Sequence, residues 1–224
     1  MIGSGNFIIV LDAPTRENEG DLILSAEDMT PEKMAFMVKH TSGLICSPLA
    51  SSLTKTLSLP LMVPPIDNTE VDGTAYTVSV DAVHPSMTTG ISAHDRALTC
   101  NMLASKGAVP ESFRRPGHLF PLRAREGGAR ERRGHTEATV EFCRLAGKAP
   151  AGVLCELVEP GLEAKHGGTE VLDAEMRRGE SCLRFGREWG IRVCTIEALV
   201  EYLEWTEGGH TGRAGAEKTV NGFS

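Results

Sequence analysis

The residues best equipped for chemistry stand together at 16–21, Arg-Glu-Asn-Glu-Gly-Asp. Arg16, Glu17, Glu19 and Asp21 lie between two apolar runs, 7–11 and 22–24. Both runs read as buried strands, being short, apolar and rich in branched side chains. Burying an unpaired charge is expensive, so the charged side chains should gather at a strand end that faces solvent, a ligand or a metal. One reading is a charged hairpin tip. The other is a cluster of hard oxygen donors with one arginine, suited to Mg²⁺ and a polyhydroxy phosphate.

Other chemistry-bearing residues follow. Residues 132–138, Arg-Arg-Gly-His-Thr-Glu-Ala, form a glycine turn opening into a helix with Ala138, Phe142, Leu145 and Ala146 on one face. Free backbone N–H groups at such a start, flanked by Arg132 and Thr136, make a phosphate cradle. His135 in the same turn can ligate a metal through one ring nitrogen. Glu156 sits in the middle of the apolar run 153–158, where a carboxylate needs a salt bridge or acid–base work to account for it. His118 follows Pro116-Gly117, which marks a turn, and so opens a strand; a lone histidine there is structural or catalytic. Thr88-Thr89-Gly90-Ile91-Ser92 precedes a helix from Ala93. Ser92 with Asp95 fits a capping box, and the same hydroxyls at a helix start also fit an anion site.

The elements that must position these groups are readable in outline. Thr30-Pro31 starts a helix that presents Met34, Met37 and Val38 inward and stops at Gly43. Residues 44–46 read as a short strand ending in Cys46, a thiol that is either a buried structural group or reactive. Residues 50–73 read as loop, with the acidic stretch 67–73 as a flap. Residues 74–80 alternate, placing Tyr76, Val78 and Val80 on one face of a strand. The arginine-rich stretch 123–133 reads as a solvated loop or a weak RNA contact. A charged connection with one helical stretch covers 161–178, a helix covers 180–189 and a strand 192–194. Thr195 caps a last helix with Ile196, Leu199, Val200 and Leu203 inward. This gives one domain over 1–206, with a Gly-rich, polar and disordered tail over 207–224.

A chain of 224 residues that is 41% hydrophobic can bury a sizeable core. Its net charge of −7 argues against general nucleic-acid binding. No apolar stretch reaches the ~20 residues of a membrane span, and no signal peptide is visible. Six scattered cysteines without a Cys-x-x-Cys pair fit reduced thiols in a cytoplasmic protein.

Five motifs now occur in one order: Asp12 with Arg16–Asp21, Thr88–Ser92, Arg115–His118, Arg132–Ala138, and Cys155-Glu156. Together they resemble the 3,4-dihydroxy-2-butanone 4-phosphate synthase family over about residues 6–205, in its fungal, monofunctional form. The resemblance implies an α+β fold, a three-layer α/β/α sandwich around a mixed twisted sheet. It implies conversion of D-ribulose 5-phosphate to 3,4-dihydroxy-2-butanone 4-phosphate and formate in riboflavin biosynthesis. It also implies a homodimer with the site near the subunit interface, and Mg²⁺, or Mn²⁺ in its place, as two ions per site. Glu17 and His135 would hold the metal. Arg16, Glu17, Asp21, Arg132, Arg133, Gly134, His135, Thr136 and Glu156 would bind substrate. His118 and Glu156 match positions essential for catalysis.

Two departures stand out. The helix that usually precedes the first strand is missing, which would leave one face of the sheet uncovered. Ala13-Pro14-Thr15 is less acidic than in many relatives. A second, zinc-dependent cyclohydrolase half, as in fused relatives, is not expected either.

The chemistry suits the residues. A ketone flanked by hydroxyls chelates a hard cation, which polarises the carbonyl and stabilises an enediolate. Dehydration, a skeletal shift and loss of formate then call for several acid–base groups. Two rivals remain open: a metal-dependent sugar-phosphate isomerase or aldolase, and a non-catalytic nucleotide or RNA-binding module.

Overall fold

The computed structural model describes residues 2–159 and 175–207. The charged connection over 161–178 therefore falls largely outside the described residues, and the tail over 207–224 almost wholly. Among these residues seven strands form one mixed sheet: β1 (Ile8–Leu11), β2 (Gly20–Ser25), β3 (Cys46–Leu49), β4 (Val80–Ala82), β5 (Phe113–Arg123), β6 (Gly152–Glu156) and β7 (Arg192–Thr195). Their order across the sheet is β4-β5-β3-β6-β2-β1-β7. Only β1–β7 and β3–β5 pair in parallel; the other neighbours are antiparallel. Among the described residues seven α-helices accompany them: α1 (Pro31–His40), α2 (Ser51–Thr56), α3 (Ala93–Ala104), α4 (Gly128–Glu131), α5 (His135–Leu145), α6 (Gly179–Trp189) and α7 (Ile196–Glu207).

The period-two alternation of the strands sorts the core into two layers. Ile9, Leu22, Leu24, Val153 and Cys155 point to one side and pack with Met34 and Met37 of α1, Cys100 and Leu103 of α3, and Phe185 of α6. Ile8, Val10, Ile23 and Leu154 point to the other and pack with Ala138 of α5 and Ile196, Leu199, Val200 and Leu203 of α7. The fold is the expected α+β sandwich of three layers. Both faces of β1 are covered, because Ile8, Ile9 and Val10 are all buried and Ile2 joins the α7 side. The uncovered face expected from the missing helix is not found among the described residues.

Helix starts follow their caps. The Thr30 hydroxyl accepts from Lys33 N–H at 3.3 Å with Pro31 at the first helical position. Ser92 accepts from Asp95 N–H at 3.0 Å, and Thr195 from Ala198 N–H at 3.1 Å.

Several boundaries differ from expectation. The strand placed at 44–46 runs instead over Cys46–Leu49, where parallel pairing to β5 begins at Phe120. The stretch read as loop from residue 50 contains α2. Residues 74–80 are not a full strand: only β4 pairs regularly, and the buried side chains are Thr77, Ser79 and Val80 while Tyr76 and Val78 are half-buried. The polar alternation lost because the Thr77 hydroxyl bonds the Pro121 carbonyl at 3.0 Å, which satisfies it in the interior. Pro116-Gly117 is no turn; Arg115–Pro116 is a cis peptide inside β5, so His118 lies within a long strand rather than at its start.

Candidate active site

One cavity of about 160 Å³ gathers Arg16, Glu17, Asp21, Arg132, His135, Thr136 and Glu156. Three elements converge on it. The loop between β1 and β2 brings Arg16 and Glu17, the first residues of β2 bring Asp21, and the N-terminus of α5 brings His135 and Thr136. Glu156 ends β6 rather than sitting in its middle, directly opposite Asp21 in the ladder. The Glu156 carboxylate accepts from the Ser42 hydroxyl at 2.7 Å. Like charges directly opposite on neighbouring strands are destabilising, so this pair needs a proton, a ligand or a cation.

Asp12 organises the loop. Its buried carboxylate accepts from Glu17 N–H at 3.1 Å, Glu19 N–H at 2.9 Å and the Arg16 guanidinium at 2.9 Å. Arg16 also pairs with Glu17 at 2.6 Å and with Asp72 at 3.3 Å. Asp12, Glu17 and His135 each offer a ligand atom within 4.8 Å of the others. Asp12 was not singled out as a ligand from sequence; its signal was a lone acid directly after an apolar strand.

His135 is the most informative residue. Its Nε2 lies 3.1 Å from the Val10 carbonyl, which only accepts, so Nε2 carries the proton. Burial holds the ring neutral, pulling its pKa down to about 4. Nδ1 then presents a lone pair to Glu17 at 3.9 Å and Asp21 at 3.8 Å. A lone pair facing two carboxylates is repulsive unless a proton or a cation lies between them. The carboxylates bear this out. Burial pushes Glu17 up to about 7. It holds Asp21 well above the usual carboxylate range, with Glu156 and Glu17 adding repulsion. Asp21 Oδ1 is buried without a hydrogen-bond partner. Carboxylate oxygens with one imidazole suit a hard divalent cation, so the residues fit Mg²⁺.

The residues expected to bind phosphate stand around the start of α5. Arg132 Nη1 pairs with the buried Glu137 at 2.7 Å, while Nε and Nη2 bond the Asp72 carbonyl at 3.0 Å and the Thr74 hydroxyl at 2.9 Å. Gly134 caps α5 without a side chain. A Cβ there would lie 2.2 Å from Arg132 Nη1, so the glycine makes room for the guanidinium. Thr136 lines the cavity beside the helix start. Arg133 is exposed and does not line the cavity.

His118 does not line it either. Leu122, which does, stands four positions further along the strand, a span of roughly 13 Å. Cys46 lines the cavity but is buried, and desolvation raises its thiol well above the ordinary value, as for a structural thiol. Tyr76 and Glu70, which sequence reasoning placed in a core face and a flap, line the cavity too. No helix among the described residues is long and apolar enough to cross a membrane.

Comparison with known proteins agrees with this geometry. The family model described as 3,4-dihydroxy-2-butanone 4-phosphate synthase matches residues 1–202. A protein of that name from Pyricularia oryzae is 59% identical over 206 residues, covering 92% of this chain and 87% of the relative. The Saccharomyces cerevisiae protein of the same name is 45% identical over 202 residues, covering 88% and 92%. A solved structure of 3,4-dihydroxy-2-butanone 4-phosphate synthase in complex with two magnesium ions superposes with a TM-score of 0.89 at 57% identity, covering 92% of this chain and 94% of that one.

Proposed function

The chain belongs to the 3,4-dihydroxy-2-butanone 4-phosphate synthase family, and on that premise we propose that it converts D-ribulose 5-phosphate to 3,4-dihydroxy-2-butanone 4-phosphate and formate in riboflavin biosynthesis. The observation that carries this reading is the neutral His135, whose Nδ1 lone pair faces the Glu17 and Asp21 carboxylates in the cavity that Arg132 and Glu156 also line.

Asp12, Glu17 and His135 would hold Mg²⁺, or Mn²⁺ in its place, and two ions per site follow the magnesium-bound relative. The cation supplies Lewis-acid polarisation of the substrate ketone. Asp21, which lines the cavity, accepts a sugar hydroxyl. Arg132, Thr136 and the open N–H groups that follow Gly134 at the start of α5 bind the phosphate, with Arg16 completing that end; Arg133, outside the cavity, takes no part within its own chain. Phosphate anchoring far from the reacting carbons fixes the substrate for each step. Glu156, held by Ser42, moves protons at those carbons. His118 is the second acid–base group and, lying outside its own chain's cavity, reaches the site of a twofold partner. The active protein is therefore a homodimer.

The test is incubation with ribulose 5-phosphate and Mg²⁺, scored for formate, with a chelator and its reversal as controls. Formate that appears with Mg²⁺ and stops with chelator supports the synthase. An isomerised pentose phosphate or smaller fragments without formate would favour an isomerase or aldolase.

A further inference from the structure

We infer that Ser42 is the positioning residue of Glu156: its hydroxyl holds one carboxylate oxygen, Oε2, and leaves the other, Oε1, to take up and release protons. This role rests on the reading of Glu156 as an acid–base group.

Ser42 grips Glu156 twice. Its backbone N–H donates to the Glu156 carbonyl at 2.9 Å, and its hydroxyl donates to Oε2 at 2.7 Å. The hydroxyl has one hydrogen and two acceptors in reach, because Cys155 Sγ lies 3.2 Å away. The carboxylate oxygen is nearer and charged, so it is the stronger acceptor and takes the hydrogen. With that hydrogen committed, Oε2 stays an acceptor. The Cys155 thiol, 3.8 Å off, also meets Oε2 rather than Oε1. Oε1 is left to the cavity that Glu156 lines, and a proton moved by this carboxyl is carried there.

The sheet order shows why the grip matters. β6 lies between β2 and β3. Asp21 of β2 stands directly opposite Glu156, and like charges so placed repel. Ser42 comes from the other side, just ahead of β3, where its neighbour Thr41 bridges Leu157. Its hydrogen bond draws the carboxylate toward β3 and away from Asp21. The turn that carries Ser42 is itself held. The Thr41 hydroxyl donates to the Met37 carbonyl at 2.6 Å and accepts from Gly43 N–H at 3.3 Å. Gly43, at φ +78°, supplies left-handed backbone that a side chain resists. The buried Arg96 of α3 lies 3.4 Å from the Gly43 carbonyl. A group that must act from one geometry needs such a supporting shell.

The experiment uses full-length protein with ribulose 5-phosphate and Mg²⁺. Ser42→Ala should lower kcat by about 10-fold or more, the loss of one hydrogen bond to a charged group, with KM and Mg²⁺ affinity little changed. Ser42→Thr keeps the hydroxyl, and its added methyl meets solvent because position 42 is exposed, so it should recover most of kcat. Ser42→Cys is similar in shape with only a weak donor and should lose kcat as Ser42→Ala does, so the prediction stands on two variants. Crystal structures should show one Glu156 rotamer in the wild type and in Ser42→Thr, and a displaced or divided carboxylate in Ser42→Ala.

A wild-type kcat in Ser42→Ala, a loss carried by KM or by Mg²⁺ affinity, a Ser42→Thr protein as slow as Ser42→Ala, or a Glu156 carboxylate unmoved in the Ser42→Ala crystal would each overturn the proposal. Full activity in Glu156→Gln would instead overturn the underlying reading of Glu156, while the crystal structures would still report on the grip.

Discussion

Glu17 carries the metal reading at the scale of single residues. Glu17→Gln keeps shape and removes one charge from a hard-cation site. Mg²⁺ affinity and turnover should each fall by more than about 100-fold, beyond what loss of an outer partner does, with an unchanged circular dichroism spectrum. Retained turnover would remove Glu17 from the site. Acidity gives a second prediction. Burial raises Glu17 to about 7 and lowers His135 to about 4, so the imidazole is ready for metal throughout the neutral range and the carboxylate is not. Metal must displace the Glu17 proton below pH 7 and none above it. Mg²⁺ affinity, measured by calorimetry in the metal-free protein, should therefore rise with pH by up to about tenfold per unit below 7 and level off above. A transition centred near 4 instead would make His135 the limiting ligand. Glu17, Asp21 and Glu156 stood out in sequence as charges beside apolar runs, and His135 as a histidine in a glycine turn opening a helix. The ring tautomer of His135 did not, since it depends on the Val10 carbonyl 125 residues away in the chain.

At the scale of elements, the start of α5 carries both the metal ligand His135 and the phosphate-binding groups of the proposed function. Gly134 has an ordinary backbone (φ −112°), so only space forbids a side chain there. Gly134→Ala should displace the Arg132 guanidinium and raise KM for ribulose 5-phosphate by about tenfold, the loss of roughly one charged hydrogen bond, while kcat changes less. An unchanged KM would take Arg132 out of phosphate binding. Most elements were legible, since their caps and apolar stripes are local: Thr30 before α1, Ser92 before α3 and the inward row of α7 all stand where sequence placed them. The errors lie where tertiary partners override the local pattern. Thr77 is buried because Pro121 offers it an acceptor, and β5 runs through Pro116-Gly117 because β4 and β3 pair on either side of that dipeptide. Nothing near Ser42 in sequence announces Glu156, 114 residues on.

The molecule as a whole raises the question of where His118 acts. It projects from β5 outside the cavity that holds Glu17, His135 and Glu156. A twofold dimer would let each chain lend its His118 and receive one. Glu17→Gln and His118→Ala, each inactive alone, should recover activity when unfolded and refolded together. One site of a mixed dimer then inherits both lesions and the other neither, so random pairing restores roughly a quarter of all sites. A mixture that stays inactive, with mixed dimers proven by mass spectrometry, would place His118 in its own chain's site. The central claim is the reaction itself, and product stoichiometry tests it most directly. Uniformly carbon-13-labelled ribulose 5-phosphate should be followed by NMR with the enzyme and Mg²⁺. Formate and a four-carbon dihydroxybutanone phosphate should appear in equal amounts as the pentose signals vanish. Five-carbon isomers, or two- and three-carbon fragments with no formate signal, would contradict it.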